Sequence, residues 1–124
     1  MQNNKKEIIY YSGFSMIPPE SVELLENNKG RINTPTSEES IVEIKDYKIL
    51  SFWDRIDEMG VWDWHRKYPV KKSQYEVTDG YNWTLKLRNR NGRSKHCSGY
   101  EGFPRKFKDL MKELNTLFGS KIGT

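Results

Sequence analysis

The residues best suited to chemistry are cations in the second half of the chain. Lys86, Arg88 and Arg90 alternate with other residues in a segment whose pattern predicts a β-strand, so their side chains share one face. Guanidinium and ammonium groups in a contiguous array bind carboxylates and phosphates. We therefore predict an anion-binding surface on this face. The same alternation is also typical of an ordinary solvated strand face, and both interpretations stay open at this point.

The distribution of charge along the chain supports an anionic partner. Residues 1–62 contain seven Lys or Arg and eleven Asp or Glu, a net charge of −4. Residues 63–108 contain twelve Lys or Arg and only four Asp or Glu, a net charge of +8. The formal charge of +4 for the whole chain therefore conceals an acidic half joined to a basic one.

Aromatic residues lie beside the cations. Trp62, Trp64 and Tyr68 are an even number of positions apart, so they share one face if this stretch is extended. Trp, Tyr and Arg commonly anchor protein interfaces, although packing in the core is the alternative for these rings. The predicted partner-binding set is Trp62, Trp64, Arg66, Lys67, Tyr68, Lys71, Lys72, Lys86, Arg88, Arg90, Arg93 and Lys95.

The few groups that could perform catalysis do not form a catalytic pattern. His96 and Cys97 are adjacent, and adjacent residues of a strand point to opposite faces. His65 is the other imidazole, and no oxyanion-stabilising or orienting partner accompanies either histidine. The two histidines and scattered carboxylates also lack the spacing of metal ligands. We predict a protein that is not an enzyme, with no metal site and no cofactor.

The bulk composition predicts one domain over residues 1–124. The hydrophobic content is only 35%, but 4 Trp, 7 Tyr and 5 Phe supply buried area, so we expect an aromatic core. One cysteine excludes an internal disulfide and fits a reducing compartment. The apolar run near the start is too short for a signal peptide or a membrane span. We expect a cytoplasmic protein without membrane contact.

The first half of the chain predicts mainly strands. Residues 7–14 favour a first strand. Residues 22–26 and 31–34 favour a hairpin across an Asn-Asn-Lys-Gly turn, although Pro and Glu early and Gly late are also typical of a helix. After a polar loop over residues 34–40, the apolar residues of 41–44 predict a short strand.

The second half predicts a hairpin between two helices. Residues 51–59 have helical spacing, with Ser51 as N-cap and Gly60 as the stop. Residues 81–90 alternate cleanly and turn back over 93–100. A helix with a continuous apolar stripe follows over residues 104–118. The predicted fold is α+β, with an antiparallel sheet of four or five strands packed by the middle helix and the C-terminal helix.

Residues 62–118 resemble a small α+β domain that recurs in uncharacterised proteins of low-GC bacteria. The resemblance rests on Trp64 and Tyr68, on Asp79-Gly80-x-x-Trp83-x-Leu85, and on Gly99-x-x-x-Phe103-Pro104-x-x-Phe107-x-x-Leu110. It implies an antiparallel meander closed by a C-terminal helix. Such domains have no assigned activity, so the resemblance transfers no catalytic residue.

These observations predict a small binding protein, such as an inhibitor or an immunity or anti-defence protein of bacterial or phage origin. It would engage a larger protein or nucleoprotein through its basic and aromatic residues. The alternative is direct binding of nucleic acid by the basic strand face. The sequence leaves the partner and the oligomeric state open.

Overall fold

The computed structural model describes residues 6–14, 19–35, 37–68 and 81–122. In chain order the elements are β1 (Ile8–Phe14), β2 (Glu20–Leu25), β3 (Lys29–Thr34), β4 (Ser37–Glu43), α1 (Asp46–Met59), β5 (Lys67–Tyr68), β6 (Asn82–Arg88), β7 (Ser94–Tyr100) and α2 (Phe107–Phe118). The strands form one sheet in the order β4-β3-β2-β1-β6-β7-β5. The fold is α+β, with a middle helix and a C-terminal helix.

The sheet has seven described strands, so the predicted count of four or five was wrong. The sequence pattern gave no indication of β5, and it indicated β4 only over residues 41–44. The strand β4 begins within the polar segment that was predicted to be a loop, and β5 has only two residues, too few to produce a pattern. The sheet is also mixed, because β5 pairs with β7 in parallel while the other neighbours are antiparallel.

The predicted hairpin in the first half is confirmed as β2 and β3, and the helical alternative was wrong. Val22 pairs with Ile32 and Leu24 with Gly30. The connecting turn holds Asn27 and Asn28 at φ values of 61° and 57°. Asn tolerates this left-handed conformation better than most residues, which explains its place in the turn.

Both helices differ from prediction at their first residues only. The helix α1 begins at Asp46 with Lys45 as its N-cap, so Ser51 lies inside the helix and is not a cap. The apolar stripe extends back to the fully buried Ile49 and holds this additional turn against the core. The helix α2 begins at Phe107, three residues after the Pro104 start that we predicted.

The core lies between the helices and one face of the sheet. Along β1 and β6, the buried side chains are Ile9, Tyr11, Trp83, Leu85 and Leu87, which alternate with more exposed ones. Apolar side chains from both helices join them in a single cluster. The opposite face of the sheet is not covered by any described helix. We call it the open face.

Candidate binding surface

The register of the central strands brings predicted cations together on the open face. Lys86 lies between Tyr10 on β1 and His96 on β7, its two cross-strand partners. Arg88 lies between Ile8 and Ser94 in the next row. These side chains point away from the core because they alternate with Leu85 and Leu87. Lys86 and Arg88 therefore share the face of β6 that points away from the core.

Arg66, Lys86 and Arg88 form a group that we call the cationic patch. They line a shallow depression of about 380 Å³ together with Ile8, Leu87, Ser94, Lys95 and His96. In the described part of the chain, none of the three cations forms an ion pair with a carboxylate. The patch can therefore receive an anion without first releasing a carboxylate of the described residues.

Tyr10 adds an aromatic ring to the cationic patch. The Lys86 Nζ atom lies 5.6 Å from the centroid of this ring, within the range of a cation–π contact. Phe14 and Tyr100 lie further along the same face, because both are cross-strand neighbours of Asn82. Phe14 is 43% exposed. Positive charge and aromatic surface thus share one side of the sheet.

The sequence did not predict these three aromatic residues beside the cations, because alternation along β6 does not specify which strands lie next to it. The signal was present in residues 7–14. Since Ile9 and Tyr11 are core residues, alternation places Ile8, Tyr10, Ser12 and Phe14 on the opposite face. Only the pairing of β1 with β6, which the pattern does not specify, places them beside Lys86.

Arg90 does not belong to the anion-binding surface, which corrects the prediction. Its guanidinium forms ion pairs with Glu7, at 3.1 Å, and with Asp46. This contact lowers the pKa of the Asp46 carboxyl below its usual range, with a smaller contribution from Asn28, and raises the pKa of Arg90. Arg90 lies in the turn after β6, where it connects the start of β1 to the start of α1.

Trp62 is a core residue and not an exposed anchor. It is 8% exposed, and its indole Nε1 donates a hydrogen bond to Asp57 at 2.6 Å. Its ring stacks on Trp53 with centroids 6.1 Å apart. Arg93 covers the ring, with its guanidinium carbon 5.0 Å from the centroid. This cluster belongs to the helix side of the sheet, which leaves both residues out of the cationic patch.

Trp64 and Tyr68 are half-buried and pack against the core. The Tyr68 ring lies 6.0 Å from that of Trp83, and its hydroxyl accepts a hydrogen bond from the backbone N–H of His65. The predicted aromatic patch therefore does not form beside the cations of β6. The contribution of both rings is mainly to packing.

The remaining predicted cations have different positions. Lys67 pairs with Ser98 at the β5 edge and is exposed, so it extends the basic side of the open face. Lys95 is half-buried and lines the depression. Lys71 and Lys72 lie outside the described residues, as do Asp79 and Gly80 of the resemblance motif.

Within the described part of the chain, neither histidine pairs with Cys97. Its side chain is fully buried, and this burial raises the pKa of the thiol. His96 lies on the opposite face of β7, while His65 contacts the edge of the Tyr68 ring. Among the residues described, no three His, Cys, Asp or Glu side chains converge as metal ligands.

Comparisons with known proteins give no relative for this chain. No protein family, no curated protein and no solved structure matches it. None of the helices in the described ranges is long and apolar enough to cross a membrane.

Proposed function

We propose that this protein is a non-catalytic binding protein whose open face engages an acidic or phosphate-lined site on a larger protein or nucleoprotein. The observation that supports this function is the cationic patch beside Tyr10 on an uncovered sheet face. Arg66, Lys86 and Arg88 repel one another and have no carboxylate partner in the described residues. An anionic partner would relieve that repulsion.

The residue types on the open face suit a protein that covers a site on its partner. Cations steer association and set specificity, while a partly buried aromatic ring supplies area that loses its water on binding. Tyr10 and Ile8 provide such area on β1, and Lys86 and Arg88 lie beside it on β6. An inhibitor, or an immunity or anti-defence protein of bacterial or phage origin, acts in this way, by covering a site without chemistry of its own.

The test compares two double charge reversals of equal size. Lys86→Glu/Arg88→Glu changes the cationic patch, whereas Lys48→Glu/Lys106→Glu changes exposed cations on the helix side. Tagged wild-type protein first captures partners from its host, and mass spectrometry identifies those that the patch variant loses. Titration calorimetry then measures each affinity with purified partner.

We expect the patch variant to lose about tenfold or more in affinity, and the control to keep it. Equal affinities of the wild type and the patch variant, with both folded by circular dichroism, would refute the proposal. Equal losses in both variants would show that only net charge matters and would refute it as well.

Direct binding of single-stranded nucleic acid is the second candidate, and the Tyr10–Lys86 contact favours it. Proteins of this kind combine cations along the backbone with aromatic rings on which bases stack. Tyr10, Phe14 and Tyr100 give the open face such rings. Fluorescence anisotropy with labelled 12-nucleotide RNA and DNA would detect this binding, and three neutralised phosphates predict a log–log salt slope of roughly −2. An affinity unchanged in Tyr10→Ala would exclude base stacking at this position.

A further inference from the structure

A groove follows the helix α2 on the side of the molecule opposite the open face. It has a volume of about 1160 Å³, larger than the roughly 300 to 1,000 Å³ of common small-molecule sites. Its walls include residues from Pro104 to Thr116, repeating at helical spacing along α2. A helix of 12 residues is about 18 Å long, so the groove suits an elongated occupant.

The floor of the groove is apolar and aromatic. Phe103, Phe107, Met111 and Ile122 line it. Phe107 packs on Trp83 with ring centroids 5.0 Å apart, and Phe103 packs on Phe107 at 4.8 Å. This stack ends at the surface, because Phe103 is 44% exposed. An occupant that covered Phe103 would remove this apolar area from water.

The rim of the groove is basic. Arg105, Lys108 and Lys112 line it and are exposed, and none of them forms an ion pair within the ranges the structure describes. Lys108 and Lys112 are one helical turn apart, so their ammonium groups line the same side of α2. Glu20 is the acidic residue among the described lining residues, and it accepts a hydrogen bond from Tyr81.

We infer that this groove binds an acidic amphipathic helix of a partner protein. Apolar residues at i, i+3 or i+4, and i+7 would fill the floor over Phe103, Phe107 and Met111. Asp and Glu beside them would meet the cationic rim. The binding surface is independent of the open face, so the protein would hold two partners, or two sites of one partner, on opposite sides of its sheet.

The experiment uses a display library of random 16-residue peptides selected on the full chain. Three variants are then tested against the selected peptides. Lys108→Glu/Lys112→Glu reverses the rim, Phe103→Ala removes the exposed ring, and Lys48→Glu/Lys106→Glu is the charge-matched control. These residues are exposed, and circular dichroism verifies that each variant folds. Lys86→Glu/Arg88→Glu separates this groove from the open face.

We expect the selected peptides to carry acidic residues beside apolar ones at helical spacing. They should bind the rim variant about tenfold more weakly and Phe103→Ala severalfold more weakly, while the control and the open-face variant retain binding. If the open-face function fails but these results hold, the groove proposal stands alone.

Three results would overturn the inference. The first is the absence of any selected peptide that distinguishes the wild type from the rim variant. The second is selection of peptides without acidic residues, or saturable binding of dodecanoate with no groove-dependent peptide. The third is a concentration-dependent dimer, detected by sedimentation, that Lys108→Glu/Lys112→Glu disrupts, because the occupant would then be a second copy.

Discussion

The indole Nε1 of Trp83 donates a hydrogen bond to the backbone carbonyl of Gly102, 2.8 Å away. This contact joins β6 to the segment that leads into α2. Phe107 packs on the same indole, and Gly99 lies beneath it. Gly99 and Phe107 thus pack around the Trp83 ring, which gives all three residues a structural role.

Gly99 permits the close approach of Trp83. A Cβ atom at this position would lie 2.2 Å from the indole Nε1 and 2.5 Å from the Gly102 carbonyl oxygen. We predict that Gly99→Ala lowers the free energy of unfolding by about 1 to 3 kcal/mol, because the neighbouring backbone would have to move. Urea denaturation measures this change. Ser98→Ala on the open face is the control, and equal stability of the two variants would contradict the prediction.

The hydroxyl of Tyr11 has its hydrogen-bond partner in Tyr81. Tyr11 is fully buried, and its hydroxyl lies 2.7 Å from that of Tyr81, which donates to Glu20. Because a hydroxyl has one proton, Tyr11 is the donor in this pair. Burial is the largest cause that raises the pKa of each phenol, so both stay protonated at neutral pH.

We predict that Tyr81→Phe costs about 1 to 3 kcal/mol, because it leaves the Tyr11 hydroxyl buried without its partner. Tyr11→Phe/Tyr81→Phe should cost less than the sum of the two single changes, since no buried hydroxyl remains. Chemical denaturation of the four proteins gives the coupling free energy. Strict additivity would contradict the assignment.

The ion pair between Arg90 and Asp46 should make the free energy of unfolding depend on pH in the acidic range. The folded state lowers the pKa of Asp46, so this carboxylate contributes stability above its ordinary pKa and loses it as pH falls through the lowered value. We predict that Arg90→Gln is less stable than the wild type at pH 7, and that the difference shrinks below about pH 4. Urea denaturation across this range measures it.

Arg88→Gln is the control for that experiment, because Arg88 has no carboxylate partner in the described region. The difference in stability between Arg88→Gln and the wild type should stay constant as pH falls. A constant difference between Arg90→Gln and the wild type from pH 7 to pH 3 would contradict the prediction.

Cys97 should react slowly while the protein is folded. Its thiol is buried, and burial raises its pKa, so few thiolates are available to a reagent. We predict that iodoacetamide labels it much faster in urea than in buffer, measured by mass spectrometry. Cys97→Ser should lower stability by about 1 to 3 kcal/mol, because a buried hydroxyl lacks a partner, and should leave binding unchanged. Rapid labelling of the native protein would contradict this prediction.

The local pattern of the sequence predicted most helices and strands, but it did not predict the order of the strands across the sheet. Alternation identified β1, β6 and β7, and helical spacing identified both helices. β4 was placed too late, because strand pairing with β3 holds polar residues in an extended conformation that their own preferences do not require. The two-residue β5 exists only because β7 offers an unpaired edge.

The candidate surface was predicted only in part, for the same reason. Lys86 is exposed and Arg88 is half-buried, and both point away from the core as their alternation indicated. Arg90 is not available to a partner, because it forms ion pairs with Glu7 and Asp46, which are 83 and 44 residues away in the chain. Tyr10 lies beside Lys86 because β1 pairs with β6, which is also a contact between residues far apart in the chain. Contacts of this kind follow from tertiary packing, which one segment alone does not encode.

The outermost strand β4 has a consequence for self-assembly. Its residues include Glu38, Glu39 and Glu43, and it forms the end of the described sheet beyond β3. In an antiparallel ladder of two copies centred on Ile41, Glu39 of each copy would lie opposite Glu43 of the other, with their Cβ atoms about 5 Å apart. The resulting repulsion opposes edge-to-edge pairing of β4 between two molecules.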